Sequence, residues 1–345
     1  MKVVLAGLGM VAGTYLPAIR DARPRLTLSG VLGRDPARAD AFSQKAKKVL
    51  GYEVGVFPDV RSFAAADADF AIVATPPDAR KELVRALAGN ARPILMEKPV
   101  ERSLEAARDI VNLFDRAGLP LGIMFQHRAR PVSLHLKEAI DAGILGRIAT
   151  ADLRVPWWRD QSYYDVPGRG TYDRDGGGVM ISQAIHTLDL MLWLLGPVTS
   201  LQAAMHRTPL HQLEAEDWAG ALFELQSGAV GSLTATTAAY PGASESITLQ
   251  GTKAAAHLAS GVLTLQHKDG RTETIGAAAG GTGGGADPME FTHAWHQSVL
   301  EDFARALQQN IQPLATGKSA LMAHAVIDAM ERAAKSGART KVSRV

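Results

Sequence analysis

The first thirteen residues, MKVVLAGLGMVAG, constrain the fold more than any other stretch of the chain. Residues 2–6, KVVLA, form a short, continuous apolar run with β-branched side chains, the pattern of a strand buried on both faces. Gly7-Leu8-Gly9-Met10-Val11-Ala12 follows at once, and a helix-like segment then reaches about Arg23. A strand that turns on glycines straight into a helix expects a parallel neighbour. The chain offers several: LTLSGVLG (26–33), FAIVAT (70–75), PILME (93–97) and LGIMF (121–125). Helical segments lie between them. One starts at Asp35-Pro36, with Asp as N-cap and Pro in the first turn. Another covers about 103–117, with Ser103 as its cap. This alternation predicts a doubly wound parallel sheet covered on both faces, in a first domain over residues 1–125.

After residue 125 the texture changes. A helix near 131–142 leads into RIATADLRVPWW, SLQAAMHR, WAGALFEL, AVGSLTATTA, ESITLQG and VLTLQH. These alternate like antiparallel strands joined by short glycine-containing turns. Residues 126–345 are therefore expected to form an α+β domain with a large open, mostly antiparallel sheet. Its C-terminal helices, near 290–309 and 317–336, are expected to pack back on the first domain. The glycine-rich GAAAGGTGGGAD (276–287) reads as a surface loop, since it follows no strand of a strand–helix–strand unit.

With 345 residues, 46% hydrophobic and 21% charged, the chain suits two globular domains. The net charge of +2 is dispersed, with no basic stripe interleaved with aromatics, so nucleic acid is not an expected partner. The absence of cysteine excludes disulfides and thiolate chemistry and fits a reducing cytoplasm. The N-terminus is too short and glycine-rich for a secretory signal, and no apolar run approaches the roughly 18 residues of a membrane span.

The glycine turn is G-x-G-x-x-A. Between a first strand and a first helix it is the fingerprint of a Rossmann dinucleotide site. Gly7 permits the tight turn, Gly9 lets a pyrophosphate approach, and Met10 and Val11 open the helix whose N–H groups face the phosphates. Strand two ends Leu32-Gly33-Arg34-Asp35. Gly33 stands where an NAD site commonly has an acid, and Arg34 suits a 2′-phosphate. The pattern leans to NADP and leaves NAD open.

Three features point to chemistry. Glu97-Lys98-Pro99 ends a strand, where parallel sheets face their ligands. GGGVMISQAIHTLD (176–189) sets polar residues in an apolar helix. At roughly 100° per residue, Ser182, His186, Asp189 and Trp193 fall on one stripe, with Gln183 and Thr187 beside it. A core histidine and an active-site histidine both fit this stretch alone. The third feature is an aromatic and basic cluster of Trp157, Trp158, Arg159, Tyr163, Tyr164, Arg169 and Tyr172, which suits the flat faces and hydroxyls of a sugar.

Taken in order, GLGMVA, ATPP (74–77), MEKP (96–99), GGG…H…D and the closing RALQQNIQPLATGKSALMAHAVIDAMERAAKSG resemble the glucose–fructose oxidoreductase/inositol dehydrogenase (Gfo/Idh/MocA) family over almost the whole chain. The resemblance implies an NAD(P)-dependent enzyme acting on a carbinol of a sugar or polyol. It also implies a homodimer or homotetramer formed through the C-terminal sheet. The family's lysine maps to Lys98, its often cis Lys–Pro bond to Lys98–Pro99, and its histidine to His186. Thr75, Pro76 and Glu97 join Lys98 on the cofactor side. Trp158, Tyr163, Arg169, Ser182, Gln183, Asp189 and His296 are the candidate substrate contacts, with Asp189 also a candidate to orient His186. Many members carry Asp where this chain has Ser182, so the choice between Lys98 and His186 as base stays open. Arg80 stands where the family often has His. A nucleotide-sugar dehydrogenase, using Arg159 and Arg169, and a dinucleotide-gated sensor are the rival readings. His293 and His296 lack a second ligand cluster, so no metal is expected.

Overall fold

The structure, a computed structural model, describes residues 1–277 and 292–345. Most of the glycine-rich stretch (278–287) therefore lies outside the described residues. The chain divides into two compact units: residues 1–101, 105–126 and 292–320, and residues 102–104, 127–291 and 321–345.

The first unit is built on six parallel strands. β1 (Lys2–Ala6), β2 (Thr27–Leu32), β3 (Gly55–Val56), β4 (Phe70–Val73), β5 (Ile94–Met96) and β6 (Leu121–Ile123) lie in the order β3-β2-β1-β4-β5-β6. Reversal of direction between β1 and β4 is the topological switch point at which such sheets bind ligands. The central strands read as continuous apolar runs because both faces are covered, and every residue from Phe70 to Val73 is buried. The connecting helices are α1 (Ala12–Asp21), α2 (Pro36–Leu50), α3 (Val60–Ala64), α4 (Lys81–Gly89) and α5 (Leu104–Arg116). Asp35 caps α2, accepting from the N–H groups of Ala37 and Arg38 at 2.9 and 3.4 Å.

The second unit contains α6 (Pro131–Asp141), β7 (Ile148–Pro156), the short α7 (Gln161–Tyr164) and α8 (Ile185–Leu195). They are followed by β8 (Val198–His206), β9 (Trp218–Leu225), β10 (Val230–Thr236), β11 (Ser246–Gly251), β12 (Ala254–Ala259), β13 (Val262–His267) and β14 (Thr272–Gly276). The C-terminal part adds α9 (Ala294–Gln309), which belongs to the first unit, α10 (Gly317–Ser336), which runs from one unit into the other, and β15 (Thr340–Lys341). Nine strands form one sheet in the order β14-β13-β12-β11-β7-β10-β9-β8-β15. Only the β7–β10 pair is parallel among the strand pairs described. Alternation decides the faces. Ala151, Leu153, Val155, Leu233, Ala235, Ile247 and Leu249 are buried, and α8 packs against β7 and β11. α8 is apolar nearly all round, and all of Ile185–Leu192 is buried.

The sequence reading expects one continuous helix after the three glycines. Instead, Met180–Ala184 is a turn of π-helix that runs into α8. A π-turn takes in one more residue than an α-turn and is frequent at functional sites. The regular spacing assumed for Ser182, His186, Asp189 and Trp193 is therefore offset at Ser182.

Among the described residues, no helix is long and apolar enough to cross a membrane.

Candidate active site

In the first unit the glycine turn is stitched between strand ends. Gly7 donates to Leu32 O at 3.0 Å, while Ala74 donates to Ala6 O at 2.7 Å. Gly7 has φ +93°, and a Cβ there would stand 2.4 Å from Ala74 C and Thr75 N, so no other residue fits. A Cβ on Gly9, by contrast, would meet nothing within 4 Å. No side chain caps the start of α1, which opens beside this backbone, although Ala12 N already donates to Gly9 O at 3.2 Å and Thr14 N to Val11 O at 3.0 Å. Thr75 Oγ1 is buried with no hydrogen-bond partner in the structure. These features fit a dinucleotide: an open glycine turn, an uncapped helix start with Met10 and Val11, and a hydroxyl in need of a partner.

Gly33 packs so closely that a Cβ would lie 2.9 Å from Leu8 Cδ1 and 3.2 Å from Ala39 Cβ. An acidic side chain at this position would have to displace Leu8. Asp35, the nearest carboxylate in sequence, is engaged as the α2 cap, and Arg34 is exposed.

Lys98 lies two residues beyond β5 and is joined to Pro99 by a cis peptide bond. It is the one residue from Ile94 to Glu101 that is not buried. Arg80, to which the sequence reading attaches no chemistry, holds this loop from beneath. Its Nε and Nη2 donate to Thr75 O at 3.0 and 2.7 Å, and its Nη1 donates to Val100 O at 3.2 Å and to Pro99 O. Burial pulls the guanidinium down to about 10, with Glu97 and Glu101 opposing the fall, so it stays charged at neutral pH.

Glu97 turns its carboxylate inward. It accepts from Tyr15 Oη at 2.7 Å and lies 3.5 Å from His296 Nε2. Burial works to raise its pKa, but His296, Tyr15 and Lys98 outweigh that and hold it below the usual range. Burial and the adjacent Glu97 charge push the Tyr15 hydroxyl well up, so it remains a donor. His296 stands edge-on to Tyr15 at 5.5 Å and is almost wholly buried. The sequence reading expects a substrate contact at His296; in this unit its ring lies in the packing beneath Glu97.

In the second unit two of the three glycines admit main chain. A Cβ on Gly176 would stand 2.6 Å from Arg102 Cα, and one on Gly178 would stand 1.7 Å from Glu216 O. Glu216 accepts from Gly178 N and Met180 N through its carboxylate, each at 3.0 Å, and from Val179 N through its carbonyl at 2.9 Å. Three successive donors at the start of the helix are satisfied by one residue.

From Gly176 to Leu192, Ser182 alone is not buried. Gln183 donates to Tyr163 Oη at 3.1 Å, and the Arg169 guanidinium lies over the Tyr163 ring at 4.3 Å. Trp158 is half-buried, edge-on to Tyr240 at 5.4 Å. Arg159 is buried against Trp157, with Nη1 donating to Trp158 O at 2.7 Å.

Asp189 needs correction. It is fully buried, and both oxygens are held by Arg128, at 2.7 Å from Nε and 2.6 Å from Nη2. Both acceptor oxygens are therefore engaged by a cation that the sequence reading does not pair with it. Burial pushes its carboxyl up, with Arg128 opposing. His186, 6% exposed, instead stacks on His127, with centroids 4.9 Å apart and planes at 26°. His127, Arg128, Arg130 and Glu216 were missed by the sequence reading. FQHRAR, three basic residues directly after the last strand of a parallel sheet, was the available signal for the first three. Nothing local marks Glu216.

Among the described residues, no group of three or more His, Cys, Asp or Glu side chains is arranged to hold a metal.

An open glycine turn at the switch point of a doubly wound sheet defines a dinucleotide-binding protein. Residues 1–125 match the oxidoreductase family model with an NAD-binding Rossmann fold, and residues 133–257 match the GFO/IDH/MocA C-terminal domain. The chain belongs to the GFO/IDH/MocA family of oxidoreductases. It is 25% identical to inositol 2-dehydrogenase of Rhizobium meliloti, over 86% of this chain and 88% of that one. It is 27% identical to D-apiose dehydrogenase of Rhizobium rhizogenes, over 66% of this chain and 64% of that one. The crystal structure of the WlbA dehydrogenase from Bordetella pertussis, in complex with NADH and UDP-GlcNAcA, is 27% identical with a TM-score of 0.81. The match covers 100% of this chain and 99% of that one.

Glu216 generates a pH prediction. Burial, reinforced by Glu331, lifts its carboxyl to about 7 against the backbone donors that favour the anion. The folded protein thus binds this proton more tightly than the unfolded chain does. Its contribution to stability is greatest at low pH and is lost as pH rises through about 7. Relative to wild type, Glu216→Gln is expected to gain melting temperature between about pH 4.5 and 7, the interval this shift spans, and to level off above it. Thermal melts across that range test it. A difference that does not vary with pH defeats the reading.

Proposed function

We propose that the protein is an NAD(P)-dependent dehydrogenase that oxidises or reduces a carbinol carbon of a sugar or polyol. The observation that carries this reading is Lys98. It alone keeps exposure in a buried loop at the carboxyl end of β5, in the same unit as an open glycine turn suited to a dinucleotide. A bound nicotinamide supplies the hydride acceptor or donor. In the oxidative direction a cationic Lys98 binds the substrate oxygen and stabilises the negative charge that develops on it. A neutral His186 takes the hydroxyl proton at a ring nitrogen. The two roles exchange if burial by bound ligands lowers Lys98 enough to make it the base. Ser182, the opening in an otherwise buried stretch, and the Gln183–Tyr163–Arg169 group with Trp158 are the proposed substrate contacts.

A nucleotide-sugar substrate would use arginines on its diphosphate. The Arg159 guanidinium is committed to Trp157 and the Trp158 carbonyl, which leaves Arg169 for such a contact and favours the simple sugar or polyol. For the cofactor we propose NADP, on the exposed Arg34 and on Gly33, where an acid would have to displace the Leu8 side chain. We also propose that copies of the chain associate through the open sheet face. Leu222 on β9 and Val230 on β10, 65% and 53% exposed, are near neighbours there.

A panel of sugars, polyols, lactone-forming aldoses and a nucleotide-diphosphate sugar, followed at the nicotinamide absorbance band, tests the activity. Tight dinucleotide binding without turnover across the panel would establish the sensor reading instead. Lys98→Met is expected to lower kcat by about a hundredfold or more while dinucleotide affinity survives. Near-normal kcat in that variant removes Lys98 from the mechanism. Arg34→Ala is expected to raise KM for NADP more than for NAD, and equal effects would count against the cofactor assignment. Light scattering should show an oligomer for the wild type and a smaller species for Leu222→Glu. A monomeric wild type overturns the sheet interface.

A further inference from the structure

His127 follows β6 and is buried, with its ring on the face of His186. Its Nε2 lies 2.6 Å from Arg130 Nη2. A guanidinium carries only donors, so Nε2 must be the acceptor. The proton of His127 then sits on Nδ1 and the ring is neutral. Arg130 is fixed in turn by Glu245, whose Oε1 accepts from Nη1 at 2.7 Å. Glu245 Oε1 is itself 3.9 Å from His127 Nε2, so without Arg130 a buried carboxylate would face the ring and favour its protonation.

Two ion pairs stand near the two rings in this unit. Arg130 and Glu245 face His127. Arg128 and Asp189 neutralise each other one turn along α8 from His186. Two stacked imidazoles cannot both carry charge without mutual cost, and a proton offered to them is shared unless something breaks the tie. Arg130 breaks it.

We propose that His127 is a positioning residue for His186, an imidazole held neutral by the Arg130–Glu245 pair, so that His186 alone takes the proton of the reaction. The inference rests on the dehydrogenase reading only in making His186 the proton acceptor. The state of His127 can be measured without any substrate.

The test is nitrogen-15 NMR of histidine-labelled full-length protein, with His127 assigned from His127→Phe. His127 is expected to remain the neutral Nδ1–H tautomer from about pH 5.5 to 8.5, a range that brackets the ordinary histidine pKa. In Arg130→Met it should titrate within that range and push the His186 midpoint down by about half a unit or more. His127→Phe replaces one uncharged ring with another and should leave the His186 midpoint in place, which keeps the test valid if Arg130→Met does not fold. A normally titrating His127 in the wild type, or a His186 midpoint that rises in His127→Phe, overturns the proposal. Kinetics add a second readout. His127→Phe should keep the pH profile of kcat/KM, while His127→Ala, which loses the stack, should lower kcat about tenfold or more. An unchanged kcat in His127→Ala overturns the positioning role. Failure of the wild type to turn over any substrate would defeat the dehydrogenase reading and leave the NMR result standing.

Discussion

The helix that carries His186 begins against the main chain of Glu216, and no side chain can stand between them. A Cβ on Gly178 would overlap the Glu216 carbonyl oxygen, and a Cβ on Gly176 would overlap Arg102. The reason for so close an approach is the helix start itself. Its first N–H groups have no partners within the helix, and a buried N–H left unpaired costs about 1–3 kcal/mol. Glu216 takes three of them, two on its carboxylate and one on its carbonyl. Once those bonds are made, the direction of the helix is set, and with it the places of Ser182, Gln183 and His186.

The first unit uses the same device with the opposite sign. Gly7 lets the β1–α1 turn press on Ala74 and Thr75. Arg80, a buried cation, gathers the carbonyls of Thr75, Pro99 and Val100, just as the buried Glu216 gathers N–H groups. A loop at a strand end leaves main-chain groups unpaired by the sheet. When such a loop is buried, a charged side chain is an effective partner, because it offers several donors or acceptors at once. Main-chain carbonyl dipoles offset the Arg80 charge, whereas burial outweighs the N–H donors at Glu216 and lifts its carboxyl to about 7. Both residues therefore act on geometry, and neither could be replaced by an apolar side chain of like size without orphaning the loop.

The parallel sheet was legible from residue 2 onward because its strands are buried on both faces and read as unbroken apolar runs. The alternating strands of the second sheet were legible for the complementary reason. Some elements were not. β12 is AAAHLA, in which alanine gives no strand signal, and β14 is an exposed edge whose side chains follow no inward pattern. The π-turn at Met180–Ala184 has no signature in the residues, and it displaced a stripe computed for a straight α-helix. The candidate site divides in the same way. Gly7, Gly9, Lys98 and His186 could be singled out because their types and flanks are distinctive. Arg128, Arg130 and Glu216 act across long sequence separations, and only the fold brings them to their partners.

The buried pair Arg128–Asp189 shows why a polar helix face was misjudged. A buried ion pair is no strong source of stability, since its desolvation offsets most of its attraction, but removing one partner costs about 3–5 kcal/mol. Its effect is on register. Asp189 lies one turn beyond His186, and Arg128 is the next residue after His127. The segment after β6 is thus attached to α8 at two points, by the ion pair and by the stacked rings. A slide along the helix would break the pair, and a rotation would separate the rings. An apolar contact at the position of Asp189 would hold the same surfaces together while permitting either motion. The carboxylate that looked like a partner for the histidine instead fixes the backbone from which the histidine's neighbour is presented.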